Sequence, residues 1–205
     1  GLQRSTIRSV APQGQDRQLI EHVTLALSDR GHHRVSAIVH LARETGMRLR
    51  EAILADVPRL QREAEKHGRI NIQDGTKGGR SGASAPRWIA ASEQVKSALQ
   101  IARDTSPTGS HNLLARNESY VQFIRKTVRP AREILHDFGL RGFHELRAAY
   151  ACERYEQITG HTAPVNSGDC YRQDHELDRA ARQQISVELG HNRIDVVSAY
   201  IGGRS

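Results

Sequence analysis

The chain has 205 residues, enough for one domain of good size, and its 37% hydrophobic content is adequate for a core. No apolar stretch approaches the ~18 residues of a membrane span, no signal peptide is visible, and the two cysteines, Cys152 and Cys170, form no disulfide framework and fit a reducing compartment. A net charge of +7 and a pI near 9.9, dominated by arginine, point to an anionic partner, with nucleic acid ahead of an acidic protein or a membrane surface.

Residues 1–12 lack periodicity and read as a flexible lead-in; their start has the look of an excised fragment. From Gln15 to Leu27 the apolar residues Leu19, Ile20, Val23, Leu25 and Leu27 form a helical stripe that Gly31 ends. Val35, Ile38, Val39, Leu41 and Ala42 predict a second helix, stopped near Gly46, and a third runs from about Arg48 to Asp56. Pro58 interrupts, and a short polar helix follows to His67. The period then changes. Arg69-Ile-Asn-Ile-Gln alternates as a strand, Asp74-Gly-Thr-Lys-Gly-Gly-Arg80 is turn chemistry, and Ala85-Pro-Arg-Trp-Ile-Ala reads as the returning strand. Ser92 caps a helix to about Arg103, and residues 105–117 form a loop. Helices resume from Glu118 to Phe138 with a kink or junction at Pro130, and again from Phe143 to Ile158, ending at Gly160. Residues 161–173 are loop-like, and Asp174–Leu189 is helical. The predicted fold is mainly α with one small antiparallel β-sheet (α+β).

The last stretch carries the chemistry. His191 is followed nine residues later by Tyr200, which in one unbroken helix would face the opposite way at about 100° per residue. Gly190 follows the apolar run at the place of a left-handed C′ residue, and Asn192 can cap a second helix with Asp195 in its first turn. A bend there turns His191 and Tyr200 toward one point. A tyrosine is a poor nucleophile unless its phenolate is stabilised, so cations are needed from elsewhere.

Three other stretches supply them. Thr45-Gly-Met-Arg48-Leu-Arg-Glu51 opens a helix with Arg48 in its first turn; Gly75-Thr-Lys77-Gly-Gly-Arg80 places a lysine at a hairpin tip; His144-Glu-Leu-Arg147 puts His and Arg on one helix face. The set suits metal-free phosphoryl transfer. The arginines neutralise the non-bridging oxygens of a pentavalent phosphodiester, the lysine protonates a departing alkoxide, and the histidines bond the phosphate or carry the tyrosine proton.

Together these motifs resemble the catalytic domain of the tyrosine recombinases, the integrases of phages and mobile elements, over residues 12–202. The resemblance implies the tyrosine-recombinase catalytic-domain fold over residues 13–205, with Arg48, Lys77, His144, Arg147 and His191 as activators, Tyr200 as nucleophile and Glu51 as support for Arg48. It further implies no metal or nucleotide cofactor, double-stranded DNA as partner, a homotetramer on DNA, and a bacterial cytoplasmic setting without membrane attachment. Two departures stand out: Arg147 and His191 are unusually far apart, which places an insertion at 161–180, and the usual N-terminal core-binding domain is absent. Tyr120, Tyr150, Tyr155 and Tyr171 compete with Tyr200 but lack its relation to the Gly-His break. A zinc site at Cys152, His161, Cys170 and His175 does not match the compact spacings of structural sites. The rival functions are a type IB topoisomerase, which uses nearly the same residues, and a DNA-binding module without activity.

Overall fold

The structure, a computed structural model, describes residues 7–76, 86–167, 174–191 and 193–203. Helix α1 (Arg17–Asp29) starts where the Asp16 carboxylate accepts the Gln18 N–H at 2.9 Å, and it buries Ile20, Val23 and Leu27 along one stripe. Helix α2 (His33–Thr45) ends at Gly46, whose φ of +72° is left-handed. A side chain there would also put a Cβ 2.5 Å from the Tyr150 ring, so α2 can stop against its neighbour only with glycine. The short α3 (Leu49–Leu54) begins directly after Arg48. In α4 (Val57–His67), Pro58 lies in the first turn, where its missing N–H has no helical partner to lose.

Strands β1 (Arg69–Asn71) and β2 (Trp88–Ala90) pair antiparallel, with Ile70 opposite Ile89. They are shorter than the alternation suggests, although one more backbone bond, Ile72 N–H to Arg87 O at 3.0 Å, extends the pairing. The turn chemistry of Lys77–Arg80 lies outside the described residues, as does Ala85. Helix α5 (Glu93–Thr105) is capped by the Ser92 hydroxyl at Val95 N–H.

The run expected from 118 to 138 divides into α6 (Tyr120–Phe123), a π-helical turn (Ile124–Val128) and α7 (Arg129–Asp137). Pro130 causes the division. It cannot donate to the carbonyl four residues back, and the wider turn lets the Arg129 N–H reach Ile124 O instead. Helix α8 (Phe143–Thr159) is buried on every side from Glu145 to Cys152 and joins both halves of the core. Phe143 and Leu146 pack with α1–α7; Tyr150, Cys152 and Tyr155 pack with Ile185, Leu189, Val197 and Ile201.

Among the described residues α8 is followed by α9 (Pro164–Ser167), α10 (His175–Glu188) capped by Asp174, a 3-10 turn (Ile194–Val197) and α11 (Ser198–Ile201). Asn192, the expected cap, lies outside the described residues, and helical structure begins at Ile194. Within the stretch read as an insertion, the described residues 163–167 are packed: Ala163 is buried, Val165 abuts Gly202, and Asn166 exchanges amide hydrogen bonds with Gln15. Within the stretch read as a flexible lead-in, the Arg8 N–H donates to Ser198 O at 2.8 Å and its guanidinium to Glu145 at 2.6 Å. Among the described residues no helix is long and apolar enough to cross a membrane.

Candidate active site

The end of α2, the start of α3, the second turn of α8 and the end of α10 meet at one place. Arg48 sits at the N-terminus of α3, where its own backbone N–H donates to Glu51 Oε1 at 2.8 Å, and its Nη1 lies 3.3 Å from Glu51 Oε2. An acidic residue in the first turn is favoured by the helix dipole, and here it also fixes the arginine that precedes it. Its Nη2 reaches 3.5 Å from His191 Nε2.

Arg147 projects from the buried second turn of α8 and is 1% exposed. Its Nη1 donates to Gly46 O at 2.6 Å, and its Nη2 donates to Leu189 O and lies 3.3 Å from His191 Nε2. These bonds tie the last carbonyls of α2 and α10 to one guanidinium, which satisfies helix-end acceptors that would otherwise be orphaned. The remaining donor, Nε, reaches the Tyr200 hydroxyl at 3.0 Å, and the guanidinium carbon lies 5.2 Å from the centre of the tyrosine ring. Burial pushes Arg147 down to about 10, Tyr200 opposes that, and Arg87 and Arg48 add to it as like charges. It therefore stays a cation at neutral pH while concentrating positive potential in a dry site.

His191 follows Gly190, whose φ of +79° ends α10, and its N–H returns to Ser186 O at 2.8 Å. The 3-10 turn and α11 then bring Tyr200 back, with the His191 and Tyr200 ring centres 6.1 Å apart. The reversal expected from Gly190 is thus present, though it is made by a 3-10 turn. His144, one turn before Arg147 on α8, is exposed at the rim. Partial desolvation first, and Arg147 and Arg48 next, lower its pKa, so its imidazole is neutral at pH 7.

Of the residues singled out in the sequence, Arg48, Glu51, Arg147, His191 and Tyr200 come together; His144 flanks them, and Lys77 lies outside the described residues. The competing tyrosines are engaged elsewhere. Tyr155 is buried and donates to Asp178 at 2.7 Å, Tyr150 donates to Glu188 at 2.5 Å, and Tyr120 stacks beneath Arg50; Tyr171 lies outside the described residues. Of the zinc candidates, Cys152 is buried under α11 with its thiol pushed up to about 12, and Cys170 lies outside the described residues.

Two residues of the site were not anticipated. Arg87 donates to Glu51 at 2.5 Å, and Arg182 holds α11 through Ser198 and Gly202. The one sequence signal for Arg87 was a charged residue inside a short apolar strand. Arg182 stands in no short motif that marks it in the sequence.

A helical body with a two-stranded hairpin, closing on a tyrosine helix beside two arginines, has a recombinase fold. A solved structure described as "Crystal structure of XerA recombinase" superposes with a TM-score of 0.56 and 18% identity, covering 100% of this chain and 62% of that one. The family model described as "Integrase" matches residues 6–153, and the chain belongs to the integrase family. His191 and Tyr200 lie beyond the matched stretch. The chain spans 62% of the length of the recombinase that it matches. Comparison with curated proteins gives no match.

Proposed function

We propose that this chain is the catalytic domain of a site-specific DNA recombinase that cuts and rejoins strands through a 3′-phosphotyrosine. The observation that carries the proposal is the hydrogen bond from Arg147 Nε to the Tyr200 hydroxyl, with Arg48 and His191 beside it. The Tyr200 oxygen attacks a scissile phosphorus of double-stranded DNA. Its proton passes to a histidine, for which the neutral His144 is suited. The bond from phosphorus to the 5′ oxygen breaks, and Lys77 protonates the leaving alkoxide. The released 5′-hydroxyl, or that of another strand, later attacks the phosphotyrosine and restores a phosphodiester. Bond energy is conserved throughout, so the reaction calls for no nucleotide cofactor. The Arg48 and Arg147 guanidiniums neutralise the charge that develops on the non-bridging oxygens. Exchange between two DNA sites calls for four protomers, so the reading includes a homotetramer on DNA in the cytoplasm.

The test is covalent trapping on a nicked suicide substrate, with the attached peptide mapped by mass spectrometry. Tyr200 should carry the adduct. Tyr200→Phe should form none and still bind DNA within about threefold of the wild type, because only one hydroxyl is removed. An adduct on Tyr120, Tyr150, Tyr155 or Tyr171, or no adduct in the wild type, would overturn the reading.

A further inference from the structure

Arg87 is 3% exposed and stands at the foot of the returning strand of the hairpin. Its backbone is fixed on both sides: its N–H donates to Asn71 Oδ1 at 2.8 Å, and its carbonyl accepts from Ile72 N–H at 3.0 Å. The side chain then joins two segments of the site. Nη1 donates to Glu51 Oε2 at 2.5 Å, and Nε donates to Glu188 O at 2.7 Å, three residues before His191. A Cβ at Gly190 would lie 3.1 Å from Nη1, so the guanidinium also lies against the turn that presents His191. Among the described residues Nη2 has no hydrogen-bond partner.

A buried cation with an orphan donor is a costly way to fill space. A methionine would pack there without desolvating a charge, and replacing buried ions with apolar residues is often neutral or stabilising. The charge therefore calls for a use, and Glu51 provides one. Glu51 is fully buried, yet its carboxylate must accept from the Arg48 N–H and Nη1 to keep that arginine in place. A protonated carboxyl would lose its charge-assisted bonds to Arg48. We propose that Arg87 is a positioning residue, acting through Glu51 to hold Arg48 in register with the turn that presents His191. The inference rests on the strand-transfer reading above.

Burial would push the Glu51 carboxyl up; Arg87 is the strongest influence holding it below its ordinary value, followed by the Arg48 N–H, with Arg147 adding further. The charged groups facing Glu51 are Arg48 from α3, Arg87 from the hairpin and Arg147 from α8. His191 lies beyond Arg48, and Tyr150, Glu188 and Arg154 lie behind Arg87. Ionised Glu51 is present above its pKa and lost as pH falls through it. Without Arg87 that pKa rises, and the acid limb of cleavage moves to higher pH.

The experiment measures the trapping rate at saturating nicked DNA from about pH 3.5 to 9, a range that reaches below the ordinary carboxylate value, for the wild type, Arg87→Gln and Arg87→Lys, each also with His144→Gln to remove the histidine's own acid limb. Arg87→Gln should move the acid limb up by at least about one pH unit and regain rate on the alkaline side. Arg87→Lys keeps the charge, so its limb should stay within about half a unit of the wild type, at a lower rate throughout. Equal loss at every pH with the limb in place, or equal shifts in both variants, would mean that Arg87 only supports the fold. If Arg87→Gln does not melt cooperatively, Glu51→Gln is compared with Glu51→Gln/Arg87→Gln, which removes both charges. A double variant within about threefold of the single sustains the inference, because the effect of Arg87 passes through Glu51; a larger further loss overturns it. Absence of any adduct in the wild type sinks the strand-transfer reading itself, which is a different outcome from a limb that stays put.

Discussion

At the scale of single residues, the two arginines of the site differ in what else they hold. Arg48 is partly exposed and bonded mainly to Glu51, whereas Arg147 is buried and fastens the ends of α2 and α10. Arg48→Ala and Arg147→Ala should each slow cleavage at least about a hundredfold, the scale of losing one preorganised donor to a developing charge. Only Arg147→Ala should also lower the melting temperature strongly, because it leaves buried carbonyls unpaired at about 1–3 kcal/mol each. Trapping rates at saturating DNA and thermal melts of both variants separate the two effects. An Arg48 variant that loses DNA affinity but cleaves at the wild-type rate when saturated would make that residue a positional contact. The grouping of Arg48, Arg147, His191 and Tyr200 was legible because each stands in a short local pattern: a helix start, an i,i+3 pair, a glycine break. Arg87 was not, since its partners Glu51 and Glu188 lie 36 and 101 residues away and no local pattern records them.

At the scale of elements, local chemistry marked the helices well. Asp16, Ser92 and Asp174 cap α1, α5 and α10 by side-chain bonds to backbone N–H groups, and Gly46, Gly68 and Gly160 close α2, α4 and α8 in left-handed conformations. The pattern missed α9, and the second helix it expected after Gly190 is a 3-10 turn followed by the short α11. Helices α9 and α11 have four residues each, too few to be stable alone. Neighbours hold α11 instead. The buried Arg182 donates from Nη1 to Ser198 Oγ at 3.2 Å and to Gly202 O at 3.0 Å, while Asp178 balances its charge. Arg182 therefore grips both ends of the helix that carries Tyr200. On the proposed strand-transfer reading, Arg182→Met should cut the trapping rate at least about tenfold with little change in DNA affinity, because Tyr200 loses its fixed approach. It should also destabilise the fold by about 3 kcal/mol, since Asp178 is left buried without its cation. Anisotropy titrations and urea melts measure these terms. Wild-type cleavage in a destabilised Arg182→Met would show that α11 is held well enough without the clamp.

At the scale of the whole molecule, the titrating groups act together on stability. His40 and His144 have lowered pKa values, in both cases chiefly through desolvation. The folded state therefore binds fewer protons than the unfolded chain just below pH 6.5, the ordinary histidine value, and stability falls as pH drops through that window. For Glu51, Glu118, Glu145 and Glu153, burial favours the neutral acid, but arginine partners outweigh it and hold the carboxylates low. Their contribution is present above pH 4.5, the ordinary glutamate value, and is lost as pH falls through their lower folded values. On the alkaline side, burial raises both the Cys152 thiol and the Tyr150 phenol. The unfolded chain ionises them more readily, so stability declines above pH 9.0, the ordinary cysteine value. Stability should therefore be greatest between the histidine and thiol windows, with a gentle decline below pH 6.5 that steepens below pH 4.5. His40 lies on α2 away from the reacting groups, so His40→Gln isolates its share: the variant should lose less melting temperature between about pH 7 and 5 than the wild type does. Thermal melts of both proteins across that range decide it. A wild-type protein that melts higher at pH 5 than at pH 7 would show that the histidines gain rather than lose protons favourably on folding.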